Sequence, residues 1–223
     1  MLTNQKVSQT KPVYERRAIH DSNGIGLFYM DREIAMVMGH EGADWLERPE
    51  RQTEEAPDVL VRAMRLRPGM VVADIGAGSG YFSFRIATRV GTKGKVFAVD
   101  IQPEMLTIIN ERARLKNVKN VVTVLGKTDD PCLPADSVDA MLLVDVYHEL
   151  DKPYEMMAAM VKALKPGGKL YLVEYRKEDV RVPIKEVHKM TQSQVRRELA
   201  VHPVKWVETI GTLPWQHIIV FQK

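Results

Sequence analysis

From Val71 onward the chain alternates between short continuous apolar runs and longer stretches whose apolar residues recur every three or four positions. Val71-Val72-Ala73-Asp74-Ile75, Val96-Phe97-Ala98-Val99-Asp100, Val121-Val122-Thr123-Val124-Leu125, Ala140-Met141-Leu142-Leu143-Val144 and Leu170-Tyr171-Leu172-Val173 are the runs. Segments this short and this apolar read as strands covered on both faces. Between them, the spacing predicts helices over Tyr81–Val90, closed by Gly91, and over Pro103–Leu115. A third helix is expected to be capped by Asp151 and to run through Met156, Met157, Met160 and Leu164, with the methionines filling core and Gly167-Gly168 stopping it. Thr191, three residues ahead of Gln194, marks a capping box for a fourth, with Val195 and Leu199 inward. Strand alternating with helix predicts an α/β fold, a parallel sheet with helices on both faces. Residues 1–56 fall outside this repeat. There Phe28-Tyr29-Met30 and Ile34-Ala35-Met36-Val37-Met38 suggest a short helix, with Pro49 and Pro57 punctuating the passage onward.

The first run opens into Gly76-Ala77-Gly78-Ser79-Gly80, a G-x-G-x-G loop with Asp74 two residues ahead of it. A dinucleotide fingerprint sets its third glycine one position later, where this chain has Tyr81. The loop therefore suits a ligand without phosphates lying against the backbone, because glycine lacks a Cβ and admits positive φ. An ordinary tight strand-to-helix turn would use the same residues. Asp100 ends the second run about twenty residues on, where such sheets place a carboxylate against ribose hydroxyls. It equally suits the start of the helix that opens at Pro103.

Further matches follow in order: Asp129-Asp130-Pro131-Cys132-Leu133-Pro134, then Asp136-Ser137-Val138-Asp139, then Leu164-Lys165-Pro166-Gly167-Gly168-Lys169-Leu170. Together with the glycine loop and Asp100 they resemble the motifs of the class I S-adenosylmethionine-dependent methyltransferases. The resemblance implies a Rossmann-like, mostly parallel sheet of seven strands, ending in an antiparallel hairpin at 204–209 and 217–221. It implies S-adenosyl-L-methionine as cofactor, held by Asp74, Gly76, Ala77, Gly78, Gly80, Asp100, Ile101, Gln102, Thr128, Asp129 and Asp145. Asp74 would face the amino-acid end, Asp100 the sugar, and Ile101 and Gln102 the adenosine. Lys127 stands where the family usually has an acid, and a protonated lysine accepts no hydrogen bond. Asp129 or the Thr128 backbone is expected to serve adenine instead. Residues 1–56 would form a helical lid or cap, and residues 57–223 the cofactor-binding methyltransferase domain.

Composition narrows the partners. The 223 residues carry 32 basic and 29 acidic side chains, a net charge of +3. That excess is too small to argue for nucleic acid, and the basic clusters Arg62, Arg65, Arg67 and Arg196-Arg197 read as solvated helix faces. No apolar run approaches a membrane span, and the polar stretch 1–20 lacks a secretory core. The single cysteine, Cys132, excludes an internal disulfide and disfavours a multi-thiol arsenic site. A cytoplasmic enzyme acting on a small molecule is the expectation.

The candidate chemistry lies at strand ends. Asp145-Val146-Tyr147-His148-Glu149-Leu150 follows the fourth run, at the carboxyl edge where such sheets bind ligands. His148 leads as general base, since imidazole titrates near neutrality, with Tyr147 beside it and Asp145 touching cofactor or orienting a partner. Glu174, Arg176 and His188 after the fifth run are the acceptor-binding candidates, with His20, His40 and Trp45 as weaker lid residues. No metal is expected, because neither His40-Glu41 nor His148-Glu149 has a second histidine at zinc-helix spacing. Two other readings share these features: a nicotinamide-dependent oxidoreductase and a non-catalytic cofactor-binding protein.

Overall fold

The computed structural model describes residues 13–223. Residues 1–12, which open both the expected N-terminal segment and the polar stretch read as lacking a secretory core, lie outside them. The described chain begins with a three-stranded antiparallel sheet: β1 (Tyr14–Arg16), β2 (Gly24–Tyr29) and β3 (Arg32–Ala35). The helix expected around Phe28 and Ile34 is thus a β-hairpin. Its turn explains why: Met30 and Asp31 both take positive φ, 47° and 65°, the arrangement of a two-residue hairpin loop. A 3-10 segment, His40–Glu47, and two short helices, α1 (Arg51–Glu54) and α2 (Pro57–Ala63), lead to the main sheet.

The sequence-predicted α/β repeat then follows as β4 (Val71–Ile75), α3 (Tyr81–Val90), β5 (Lys95–Asp100), α4 (Pro103–Leu115) and β6 (Val121–Leu125). Next come β7 (Val138–Val144), α5 (Pro153–Ala163), β8 (Leu164–Arg176), β9 (Lys189–Met190), α6 (Gln192–Leu199), β10 (Lys205–Ile210) and β11 (Gln216–Gln222). The strand order is β10-β11-β8-β7-β4-β5-β6, with β9 beside β8. From β4 to β8 all pairings are parallel, and β11 and β10 close the edge antiparallel. The chain moves outward from β4 through β5 and β6, then returns to β4's other side with β7. A crevice opens where the order reverses, at the carboxyl ends of β4 and β7.

Each face of the sheet is covered. Met156, Met157 and Met160 of α5 pack on Leu143 and Leu172, while Phe82, Ile86 and Val90 of α3 pack on Val72, Val96 and Leu142. Each such side chain contributes about 1.5–3 kcal/mol on burial. Thr191 caps α6 as expected, its hydroxyl accepting from Gln194 N at 3.0 Å. Two local expectations are corrected. Lys152, not Asp151, holds the cap position of α5, because Pro153 supplies the preset φ of the first helical turn. Gly167 and Gly168 do not end α5, which stops at Ala163; they sit inside β8 where its register against β7 shifts.

Candidate active site

A cavity of about 500 Å³ occupies the switch point. Gly76 and Gly78 line it, and both need to be glycine for reasons internal to the fold. Their φ values are +67° and +53°, and a Cβ would come within 2.5 Å of Val146 Cγ2 and 2.6 Å of Leu46 Cδ1. Asp100 also lines the cavity. Its carboxylate accepts from Gly78 N at 2.8 Å and Gln102 N at 3.0 Å, so the acid that ends β5 braces the glycine loop. Burial raises its pKa, and those N–H groups pull it back. Ile101 and Gln102 line the same wall, and Gln102 Nε2 donates to Met38 O at 3.0 Å. Val37, Met38, Trp45 and Leu46 complete the lining from the N-terminal side.

Asp145 reaches the cavity from the end of β7, at φ +54°. Gln216 Nε2 donates to its Oδ2 at 2.6 Å, but Oδ1 is buried without a partner. Burial, reinforced by the Glu55 and Glu174 carboxylates, pushes its pKa well above the usual range. Arg51, also in the lining, pairs with Glu55 at 2.6 Å and donates to Leu46 O at 2.9 Å. An unpartnered carboxylate oxygen and a guanidinium in one wall are complementary to the ammonium and carboxylate of an amino acid.

Beyond Asp145, the 3-10 turn Tyr147–Glu149 and the turn Glu186–His188 bring three titratable groups together. His148 Nε2 lies 3.1 Å from His188 Nδ1, and Glu149 Oε1 is 3.9 Å and 3.8 Å from these two atoms. His148 Nδ1 is 2.6 Å from Glu174 Oε2, whose other oxygen accepts from Tyr147 N at 2.9 Å. Burial lowers the His148 pKa, but the Glu174 charge outweighs it and holds the imidazole above its ordinary value. Burial lifts Glu149 to about 7 and drops His188 to about 4, the latter aided by the positive charge of His148. Spacing along the chain shows no metal-ligand set, whereas the fold brings two imidazoles and a carboxylate together from residues forty positions apart.

Several expected site residues lie elsewhere. Asp74 is buried beneath the loop, its carboxylate accepting from the Ser83 hydroxyl at 2.6 Å, and burial lifts it to about 7. Ala77 and Gly80 shape the turn into α3 without lining the cavity. Gly126 and Lys127 reach the lining, whereas Thr128 does not and Asp129 pairs outward with Lys152 at 2.9 Å. Tyr147 is fully buried, with Arg32 over its ring at 5.6 Å, and burial raises its hydroxyl pKa, so it is no proton donor to the cavity. Glu174 holds His148 rather than facing the cavity. Arg176 donates to the carbonyls of Gly211, Leu213 and Pro214, fastening the loop before β11 instead of a ligand. His20 pairs with Glu33 and His40 lies near Glu41, leaving Trp45 as the lid candidate that lines the cavity. Arg51, Glu149 and Tyr175 line it too, and of these Arg51 was given no role by sequence reasoning. Glu149 lies inside the quoted strand-end run and Tyr175 between Glu174 and Arg176 after the fifth run, so both had a signal that pointed there.

Comparison with known proteins bears on the family and the fold. A protein-L-isoaspartate O-methyltransferase of Pyrococcus horikoshii is 33% identical over 127 residues, 56% of this chain and 54% of that protein. A ubiquinone/menaquinone biosynthesis C-methyltransferase of Shewanella piezotolerans is 33% identical over 112 residues, 50% of this chain and 45% of that protein. The chain thus spans about half the length of these curated relatives. A solved SAM-dependent methyltransferase of Aquifex aeolicus superposes with a TM-score of 0.79 at 22% identity, over 83% of this chain and 99% of that one. That likeness shows the Rossmann-like fold. The methyltransferase domain family matches residues 66–218. On that match the chain belongs to the methyltransferase domain family of class I S-adenosylmethionine-dependent methyltransferases.

Proposed function

We propose that this protein transfers a methyl group from S-adenosylmethionine to a small-molecule acceptor docked against His148, Glu149 and His188. The observation that carries the reading is the cavity wall in which the Gly76–Gly78 loop, Asp100 and the unpartnered Asp145 Oδ1 stand together. The cofactor supplies a methyl already activated by a positively charged sulfur. The chain's share is placement: Asp100 for the sugar hydroxyls, Asp145 and Arg51 for the amino-acid end, Gly126 and Lys127 beside the base. Fixing two reactants in line lowers such a barrier by several kcal/mol, up to about 7–11. Met38, Trp45 and Leu46 act as a lid that keeps water out, and the histidine cluster governs the acceptor's protonation. A cavity of this size, with little excess basic charge on the chain, favours a small acceptor over nucleic acid.

The test is calorimetric titration with S-adenosylmethionine and with NADH, then a screen of hydroxyl, amine, thiol and activated-carbon acceptors read by S-adenosylhomocysteine release. Binding of the first ligand alone, and turnover with a small acceptor, are expected. No binding at millimolar S-adenosylmethionine would sink the proposal. Binding with no turnover on any class would favour a non-catalytic cofactor-binding protein. Among the described residues no helix is long and apolar enough to cross a membrane; a cytoplasmic setting is our reading.

A further inference from the structure

At the acceptor end, three lone-pair donors converge where a hydrogen bond alone is an incomplete account. Two imidazole nitrogens 3.1 Å apart form a hydrogen bond only if one carries a proton, and Glu149 Oε1 then stands outside it at 3.8–3.9 Å. For these separations the circumradius of the triangle, the distance from each atom to one common point, is about 2.1 Å. That is the bond length of zinc to imidazole and carboxylate. His148 has its second nitrogen engaged by Glu174 at 2.6 Å, and Glu174 is fixed in turn by Tyr147 N. This is the outer partner that orients metal-ligating histidines, and it leaves the Nε2 lone pair for the cluster. Two carboxylates, Glu149 and Glu174, would meet the charge of a divalent ion. All three donor residues line the cavity, so further coordination positions open into it.

We propose that His148 Nε2, His188 Nδ1 and the Glu149 carboxylate bind a divalent first-row transition ion of the zinc class. Two imidazoles and one carboxylate with open positions suit zinc, cobalt(II) or iron(II), whereas magnesium and calcium take all-oxygen shells. The binding stands on these distances alone; its use rests on the proposed methyl transfer. There the ion ligates an acceptor oxygen, nitrogen or sulfur. The acceptor's X–H bond breaks as it binds the ion, the proton passes to bulk solvent before the lid closes, and the electron pair stays on X as the nucleophile.

The experiment uses the untagged, chelator-stripped 223-residue chain titrated with cobalt(II) chloride, followed by visible absorption, then with zinc sulfate as competitor. One equivalent of cobalt(II) giving d–d bands, bleached by one equivalent of zinc, is expected. The double variant E149Q/H188A should bind on the order of 100-fold more weakly or not at all, with an unchanged circular-dichroism melt. A wild-type protein without d–d bands, or a double variant that titrates equally, overturns the site. S-adenosylmethionine titrated into the metal-free protein reports separately on the cofactor reading, so the two failures are distinct.

Discussion

Asp100 carries two duties in one side chain, bracing Gly78 N and facing the cavity. Asp100→Ala should therefore weaken S-adenosylmethionine binding by about 10- to 100-fold, the loss of one or two charge-assisted hydrogen bonds. His148→Ala should leave that affinity within a few-fold and cut turnover instead. Calorimetry and single-turnover rates separate the two, and equal turnover in the histidine variant would remove it from the mechanism. Gly78→Ala tests the loop itself. Its Cβ would meet Leu46 at 2.6 Å at a φ of +53°, so a loss of about 1–3 kcal/mol in urea unfolding is expected. Residues whose placement follows from position along a strand were legible, as with Asp100 and Asp145, which both line the cavity. Residues whose role depends on which way a side chain turns were not. Asp74 and Tyr147 sit in the right motifs but point into packed interior, and Arg176 spends its donors on backbone carbonyls.

At the scale of elements, the N-terminal hairpin is pinned to the site by Arg32. Its guanidinium binds Glu198 of α6 at 2.7 and 3.0 Å and donates to His148 O at 3.1 Å. Glu198 is fully buried. Arg32→Ala should cost about 3–5 kcal/mol in urea unfolding by leaving that carboxylate with Gln194 as a neutral donor and no counter-charge, whereas the R32M/E198M pair should recover most of the loss. Recovery failing in the double variant would mean the pair matters through packing, not charge. Helices α3 and α4 were legible to the residue, because a glycine stop and a proline start are local chemistry. The hairpin was not, since eleven residues rich in Met, Ile and Val satisfy helical and strand periods alike until a turn decides.

Across the whole molecule, buried histidines set the response to acid. His202, behind α6, is held by burial at about 4, below its ordinary value near 6.5. A depressed histidine contributes stability that is complete above about 6.5 and lost as pH falls toward 4. Denaturant unfolding should therefore weaken across that window by up to about 3 kcal/mol at this position. His202→Gln should flatten the slope; an identical slope would assign the effect elsewhere. Global topology was readable because alternating apolar runs leave a parallel sheet few alternatives. The acceptor end was not readable, since His148 and His188 meet only when β8 carries the chain back past β7.

Met38, Trp45 and Leu46 lie upstream of the stretch that defines the family, residues 66–218. The cover over the cavity can thereby drift apart from the sequence by which the family is recognised. Grafting positions 36–48 from a relative should shift acceptor selectivity and the donor's dissociation constant together, because Met38 O holds Gln102 and Leu46 O holds Arg51; calorimetry and an acceptor screen read the two.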